Sequence, residues 1–418
     1  MPVTRLLPGL TPELRRLVVA LCTLEFLEWM GGGAIVPLLP TYLRQHGSSP
    51  ALVGLVMASY FASGMLTQFP LGRLVDRLGP RPVVLGGLAA FAAGCVGFVL
   101  VPGAFAGIAF RALQGAGAGS VTVAATATIG LVLPPAGRGG AFGVLYGAQT
   151  LALAIGPLVG SIIGASSMHW LFIGAALSAG AAAVPALGVL PRGRLAAAPG
   201  AVAAPRPAGG RARALLSPSL VGAALVFAAV GLVGGLYEAC WSLLLHLRGA
   251  DSVEIGASWT LYCLPYALLS PGAGRLADRV DRRLLVAFGI AASAIFACVY
   301  PGLHSVVALL VFGCLESAGA VFVTPAALSV LSGAVRPDEQ GAAQGLVGSA
   351  RTGATAAGAA GCGALFSLSP VLPFYVAGGV LALLAAAALA CWRRVPGRAA
   401  GAPRPLPVEG AERSGLGS

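Results

Sequence analysis

Charge falls along this chain in short knots separated by long apolar runs. No charged residue lies between Pro82 and Phe110, between Ala112 and Gly137, between Gly139 and Pro191, or between Thr352 and Trp392. The apolar positions do not alternate with a period of two, as in a half-buried strand; they continue for the roughly 20 residues that a helix needs to cross the hydrocarbon of a bilayer. Pro102-Gly103 breaks the first run, and Ser-Leu-Ser-Pro at 367–370 breaks the last, so each run holds parts of two helices. Read in this way, the chain is an all-α membrane protein with twelve transmembrane helices. They are predicted at 17–38, 51–71, 82–101, 105–131, 139–164, 169–190, 219–245, 253–272, 284–299, 305–331, 339–367 and 371–392. A transmembrane β-barrel would show short alternating segments and is excluded.

Composition agrees with the pattern. Of 418 residues, 57% are hydrophobic and 10% charged, against roughly 25% charged in soluble domains. A soluble chain of this size would lack the polar residues to cover its surface. All 26 basic residues are arginines. With the N-terminus in the cytoplasm, Arg44 and Arg248 fall in outer loops and Arg111 and Arg351 inside spans. The remaining 22 fall in tails or inner loops. This bias predicts a multi-pass protein of the bacterial inner membrane with both termini cytoplasmic. It also accounts for the net charge of +12 without nucleic acid, because the arginines are scattered over many short loops rather than gathered on one face. Contact with anionic lipid is the expected consequence. The first apolar run is a full span with no small-residue cleavage site, so it reads as a retained helix. The eight cysteines lie in or at the ends of spans, with no metal-ligand spacing and no disulfide framework. No metal and no cofactor are expected.

One knot occurs twice. Gly-Arg-Leu-Val-Asp-Arg-Leu-Gly-Pro-Arg spans Gly72–Arg81, and Gly-Arg-Leu-Ala-Asp-Arg-Val-Asp-Arg-Arg spans Gly274–Arg283, an offset of 202. At that same offset, without gaps, Tyr60 meets Tyr262, Phe110 meets Phe312, Gly117 meets Gly319, and Gly139, Gly143 and Gly156 meet Gly341, Gly345 and Gly358. The chain therefore reads as two pseudo-symmetric six-helix halves, 1–190 and 217–392. Between them lies a linker, 191–216, rich in Ala, Pro, Gly and Arg. The tail, 393–418, has a similar composition and is expected to be disordered and cytoplasmic.

The repeated knot resembles the signature between helices 2 and 3 of the major facilitator superfamily. Gly72, Leu74, Asp76, Arg77, Gly79 and Arg81 match in the first copy, and Gly274, Leu276, Asp278, Arg279, Arg282 and Arg283 in the second, where Asp281 replaces the glycine. Three further stretches sharpen the resemblance. Arg111, Gln114, Gly115 and Gly117 match the Arg-x-x-Gln-Gly-x-Gly pattern of helix 4. Gly156, Pro157 and Gly160 match the antiporter motif of helix 5, with Ala152 and Ser161 in place of two of its glycines. Pro37 and Pro40 match the Pro-x-x-Pro of twelve-helix drug exporters. The resemblance implies a monomeric, proton-coupled drug:proton antiporter. The helix 5 motif points to efflux rather than to the alternative, proton-coupled uptake of a sugar or metabolite. Apart from the resemblance, Gly156-Pro157 predicts a bend or a tight helix contact.

Two groups of residues then carry the expected function. Asp76, at the inner end of helix 2, should meet the unpaired N–H groups at the start of helix 11 near residues 339–342, where a carboxylate gains about 0.3–1 kcal/mol from the helix dipole. Asp278 should relate in the same way to helix 5. With Gly72, Arg77, Gly79, Arg81, Gly274 and Arg279 they would form a conformational latch between the halves. The alternative is a topology signal carried by arginines alone, which leaves the repeated aspartate unexplained. The second group is the charge inside the spans: Glu25 and Glu28 in helix 1, Glu238 in helix 7, Glu316 in helix 10, with Arg111 and Arg351. Each would cost about 2.5–3.5 kcal/mol at the bilayer centre if it faced lipid, so they should face a wet cavity or one another. Glu25 and Glu28, three residues apart, share a helix face. Glu28 beside Arg111 is the expected proton-coupling pair, with Glu25 as relay. A carboxylate that alternates between a low-dielectric site and an arginine can load and release a proton. Glu238, Glu316, Arg351, Tyr60, Trp241 and Tyr262 are expected to line the substrate cavity, although each aromatic side chain could equally be packing. A purely structural ion pair is the competing reading for each charge. A membrane-embedded enzyme finds no support, since His46, His169, His246 and His304 lie on separate segments near the outer side.

Overall fold

Where a helix begins in this protein, a hydroxyl and a proline commonly sit together. Thr11-Pro12, Ser49-Pro50 and Ser217-Pro218 each place a side-chain oxygen against an N–H of the first turn, on Leu14, Leu52 and Leu220 respectively, with proline in that turn. The structure, a computed structural model, describes residues 10–101, 103–193, 217–277, 279–335 and 340–394.

These residues form twelve long helices. In the first half they are α1 (Pro12–Gln45), α2 (Pro50–Leu78), α3 (Pro80–Leu100), α4 (Ala104–Val132), α5 (Pro135–Ser166) and α6 (Met168–Val189). In the second half they are α7 (Pro218–Leu247), α8 (Ser252–Ala277), α9 (Arg282–Val299), α10 (306–334), α11 (Gln340–Leu368) and α12 (Leu372–Cys391). Ten are both long and apolar enough to cross a membrane. The other two, α8 and α11, have the length, at 26 and 29 residues, but carry more polar side chains. The protein is thus an all-α, multi-pass membrane protein. The linker from residue 194 to 216 and the tail from residue 395 lie outside the described residues.

Three helices are interrupted. α1 opens into turns at 36–38, between Pro12–Ile35 and Leu39–Gln45, where Pro37 and Pro40 remove backbone donors. α7 carries a π-helical turn at Tyr237–Trp241, which the 202-residue offset superimposes on the break in α1. α10 is divided at Val321-Phe322 into Val306–Ala320 and Val323–Ala334. Non-α turns of this kind concentrate where side chains must be re-aimed, and the π turn holds Tyr237, Glu238 and Trp241.

The halves meet along two helix pairs, α2 with α11 and α5 with α8. Small residues allow the close approach. A Cβ on Gly54 would lie 2.5 Å from the Ala359 carbonyl oxygen, and one on Gly363 would lie 2.7 Å from the Pro50 carbonyl oxygen. On the other pair, a Cβ on Gly256 would overlap Ser161 and come within 2.7 Å of the Pro157 carbonyl oxygen. Hydrogen bonds across the halves lie in the same region: Ala51 N–H to Ser367 Oγ at 2.9 Å and Thr260 Oγ1–H to the Ala154 carbonyl at 2.7 Å. All of these lie in the half of the bundle opposite the arginine-rich turns. That arginine-poor end is sealed.

At the arginine-rich end the two knots differ for a local reason. Gly79 joins α2 to α3 with φ +85°, and a Cβ there would overlap the Gly193 carbonyl. Only glycine fits. At the matching position in the second half, Asp281 has φ −59° and its Oδ1 accepts the Arg283 N–H at 2.9 Å, capping α9. Arg282 is buried and donates to the carbonyls of Ala277 and Ser329, tying α8, α9 and α10 together. Asp76, Arg77 and Arg279 are exposed, and Arg81, Gly72 and Gly274 are partly so. Asp278 and Glu339, two members of the expected latch, lie outside the described residues.

Candidate functional site

The charged residues inside the spans collect in two places, one in each half. In the first half, α1 turns Glu25 and Glu28 toward the helix bundle, and both are fully buried. Glu25 Oε2 accepts from Gln149 Nε2 of α5 at 2.8 Å and from Thr122 Oγ1 of α4 at 3.4 Å. The carboxylate therefore joins three helices. Glu28 Oε1 is buried without a hydrogen-bond partner. The Gly156–Ser161 stretch of α5 sits behind this wall with two faces. Gly156 and Gly160 press on the α1 backbone at Met30 and Ala34, which sets the position of the helix that carries both glutamates. Pro157 and Ser161, on the other face, contact Gly256 of α8.

Arg111, on α4, is also buried, but it does not pair with Glu28. Its Nη1 donates to Gln114 Oε1 at 2.9 Å, and its guanidinium carbon lies 4.4 Å from the centre of the Tyr60 ring. Gln114 in turn donates to Cys95 Sγ at 3.3 Å. The expected Glu28–Arg111 pair is thus replaced by a cation–π contact and a hydrogen bond to the Gln114 carboxamide. Tyr60 on α2 and Gln114, one turn along α4, fill the space around the guanidinium. Glu238, from the π turn of α7 in the other half, interacts with Arg111 through charge alone, with no ion pair or hydrogen bond between them.

In the second half, α7 to α12 enclose a cavity of about 240 Å³. Glu316 of α10 is fully buried in its wall. Tyr237 Oη–H and Tyr300 Oη–H both donate to Glu316 Oε2 at 2.6 Å. Its Oε1 has no hydrogen-bond partner, and Ser293 lines the same cavity. Trp241 donates through Nε1 to Ser258 Oγ at 2.9 Å. Glu238, Trp241, Tyr262, Glu316 and Arg351 all border this cavity. Tyr60 does not; it belongs to the Arg111 cluster. Glu316 and Arg351 share the cavity without forming an ion pair; the carboxylate is held instead by two tyrosine hydroxyls on one oxygen.

The residues that sequence reasoning missed are the neutral partners: Gln149, Thr122, Tyr300, Ser258, Ser293 and Trp259. Gln149 left a readable trace. It is the only carboxamide side chain between Gly139 and Pro191, and such a group in a membrane helix needs a partner. Tyr300 left none, since a tyrosine at a span end reads as an interfacial anchor.

Sequence and structure comparisons agree with this architecture. Over 168 residues the chain is 33% identical to the inner membrane transport protein YajR of Escherichia coli K12, an alignment covering 39% of this chain and 36% of that one. It is 29% identical to the class E tetracycline resistance protein of Escherichia coli over 294 residues, covering 67% and 70%. The chain thus spans only about a third of the length of YajR. In fold it is similar to the human organic anion transporter MFSD10 (TETRAN), with TM-score 0.65 and 23% identity over 91% of this chain and all of that one. It is also similar to the nucleoside transporter NupG, with TM-score 0.73 and 16% identity over 90% and 100%. The profile described as Major Facilitator Superfamily matches residues 21–245 and 236–416. Twelve helices in two related halves, the doubled knot and this match lead to one conclusion: the chain belongs to the major facilitator superfamily of membrane transporters.

Proposed function

We propose that this protein is a proton-coupled exporter of small amphipathic or cationic organic compounds. It works by alternating access in the bacterial inner membrane, with both termini in the cytoplasm. The observation that carries the reading is the set of membrane-embedded glutamates with an oxygen left unpartnered: Glu28, Glu238 and Glu316, together with Glu25. Buried polar groups in native proteins are otherwise paired almost without exception. Carboxylates that keep an oxygen free inside a membrane are suited to a proton or a transported cation. Similarity to the class E tetracycline resistance protein, and to the multidrug resistance protein MdtM of Escherichia coli at 28% identity over 154 residues, supports export.

In this reading Glu25 and Glu28 exchange protons, with Arg111 and Glu238 relating that event to the second half across the interface. Asp76 and its repeat Asp278 close the arginine-rich end when the sealed, arginine-poor end opens. The test is a panel of compounds in proteoliposomes of purified protein with an imposed pH gradient. Movement of a compound against the proton flow supports the reading. Movement with the protons would make the protein an uptake permease, and no driven movement across a broad panel would remove the proposal.

A further inference from the structure

The cavity of the second half contains more unsatisfied chemistry than packing requires. Glu316 Oε1 and Glu238 Oε2 are buried acceptors without donors, and Trp259 Nε1 is a buried donor without an acceptor. All three residues line the same cavity. Each unsatisfied buried group costs on the order of 1–3 kcal/mol, so three in one cavity imply a partner that the protein does not itself supply. The remaining wall is aromatic, with Tyr237, Trp241, Tyr262 and Tyr300 in mutual edge-to-face contact. Tyr237 and Tyr300 also hold Glu316 in place.

These features define a ligand. Glu238 and Glu316 place two carboxylates on this cavity, with Arg351 at its wall, and a positive charge is drawn to the carboxylate pair. Two acceptors ask for a group with several N–H donors, and the indole N–H asks for an acceptor oxygen. Aromatic faces attract a cation within about 6 Å of the ring centre. The volume, about 240 Å³, is below the roughly 300–1,000 Å³ of pockets for drug-sized ligands, so a compact, one-ring compound fits it. We propose that the second half by itself forms a binding site for a compact aromatic amine carrying one positive charge and a ring hydroxyl. Its ammonium lies between Glu238 and Glu316, and its hydroxyl oxygen accepts from Trp259. This deepens the exporter reading and rests on it for the ligand's route across the membrane. It does not depend on that reading for binding.

The experiment is calorimetric titration of the purified full-length chain in lipid nanodiscs with tyramine and with 4-ethylphenol, which has the same ring and hydroxyl but no amine. One molecule of tyramine should bind per chain, at least tenfold more tightly than 4-ethylphenol. Glu316→Gln and Glu238→Gln should each weaken tyramine binding at least tenfold and leave 4-ethylphenol binding nearly unchanged. Equal affinity for the two compounds, no binding of tyramine, or wild-type tyramine affinity in folded glutamine variants would each overturn the proposal. If a variant does not fold, the comparison of the two compounds on the unaltered chain decides the question. A pH-gradient flux assay separates the two readings. Driven movement of other compounds by a chain that does not bind tyramine sinks the site and leaves the exporter standing. Tyramine binding without driven movement of any compound does the reverse.

Discussion

Gly54 on α2 and Gly256 on α8 occupy equivalent places 202 residues apart, and each is the notch that lets one half of the protein close on the other. Gly54 receives Ala359 and Gly363 of α11; Gly256 receives Pro157 and Ser161 of α5. The partners obey the same offset, since 157 and 161 correspond to 359 and 363. The seal at the arginine-poor end is one contact built twice, and half of it is made by the antiporter motif.

A side chain in either notch should therefore hold that end apart. Gly54→Val and Gly256→Val each place methyl groups against backbone atoms, and overpacking of this kind costs about 1–3 kcal/mol. Acting on the sealed state alone, that is a shift of about 5–150-fold between conformations. Amide exchange around residues 50–54 and 359–368 should accelerate in both variants, and flux in proteoliposomes should fall, while the chain still inserts. Unchanged exchange in both would show that the notches are not the seal.

The two knots should respond to alanine by different amounts. Gly79→Ala introduces a Cβ at φ +85° and against Gly193, strain of about 1–3 kcal/mol. Asp281→Ala removes only a cap, about 1 kcal/mol. Thermal unfolding followed by intrinsic fluorescence should show the larger loss for Gly79→Ala. Asp281→Gly should lie close to the parent chain.

Gln149→Leu removes the shorter of the two hydrogen bonds to Glu25 and leaves that oxygen with Thr122 alone. Loss of one partner from a buried group costs about 1–3 kcal/mol. The expected outcome is lower thermal stability together with impaired pH-driven flux, and Glu25→Gln in the same background should recover stability but not coupling. If Gln149→Leu leaves both measurements at the parent value, Glu25 is not held by α5.

The pairing of Arg111 is open to a double-mutant cycle on thermal stability. Arg111→Ala with Glu238→Gln should show a coupling of about 0.5–3 kcal/mol, and Arg111→Ala with Glu28→Gln should be additive within about 0.5 kcal/mol. Glu28→Gln alone should abolish pH-driven efflux at normal expression, because that carboxyl is buried with an oxygen free. The reverse coupling pattern would restore Glu28 as the partner of Arg111.

Much of this protein can be read from its sequence because a bilayer leaves few choices. Backbone groups in hydrocarbon must be satisfied within each helix, so apolar runs of about 20 residues become spans whatever surrounds them. A duplicated half preserves its register, so the 202-residue offset matched the two knots before any contact was known, and the notches and two of the helix breaks prove to obey the same offset. The rarity of charge inside spans singled out Glu25, Glu28, Glu238, Glu316, Arg111 and Arg351 for the same energetic reason.

Partnership was another matter. Glu28 is expected beside Arg111, yet the guanidinium of Arg111 rests on Tyr60 and Gln114, and Glu316 is held by Tyr237 and Tyr300. Height along a span says nothing about rotation of the helix about its axis, and a single π turn at Tyr237–Trp241 re-aims a whole face of α7. Which polar groups meet is set by how helices from distant parts of the chain rotate and cross, and that is decided only when the bundle packs.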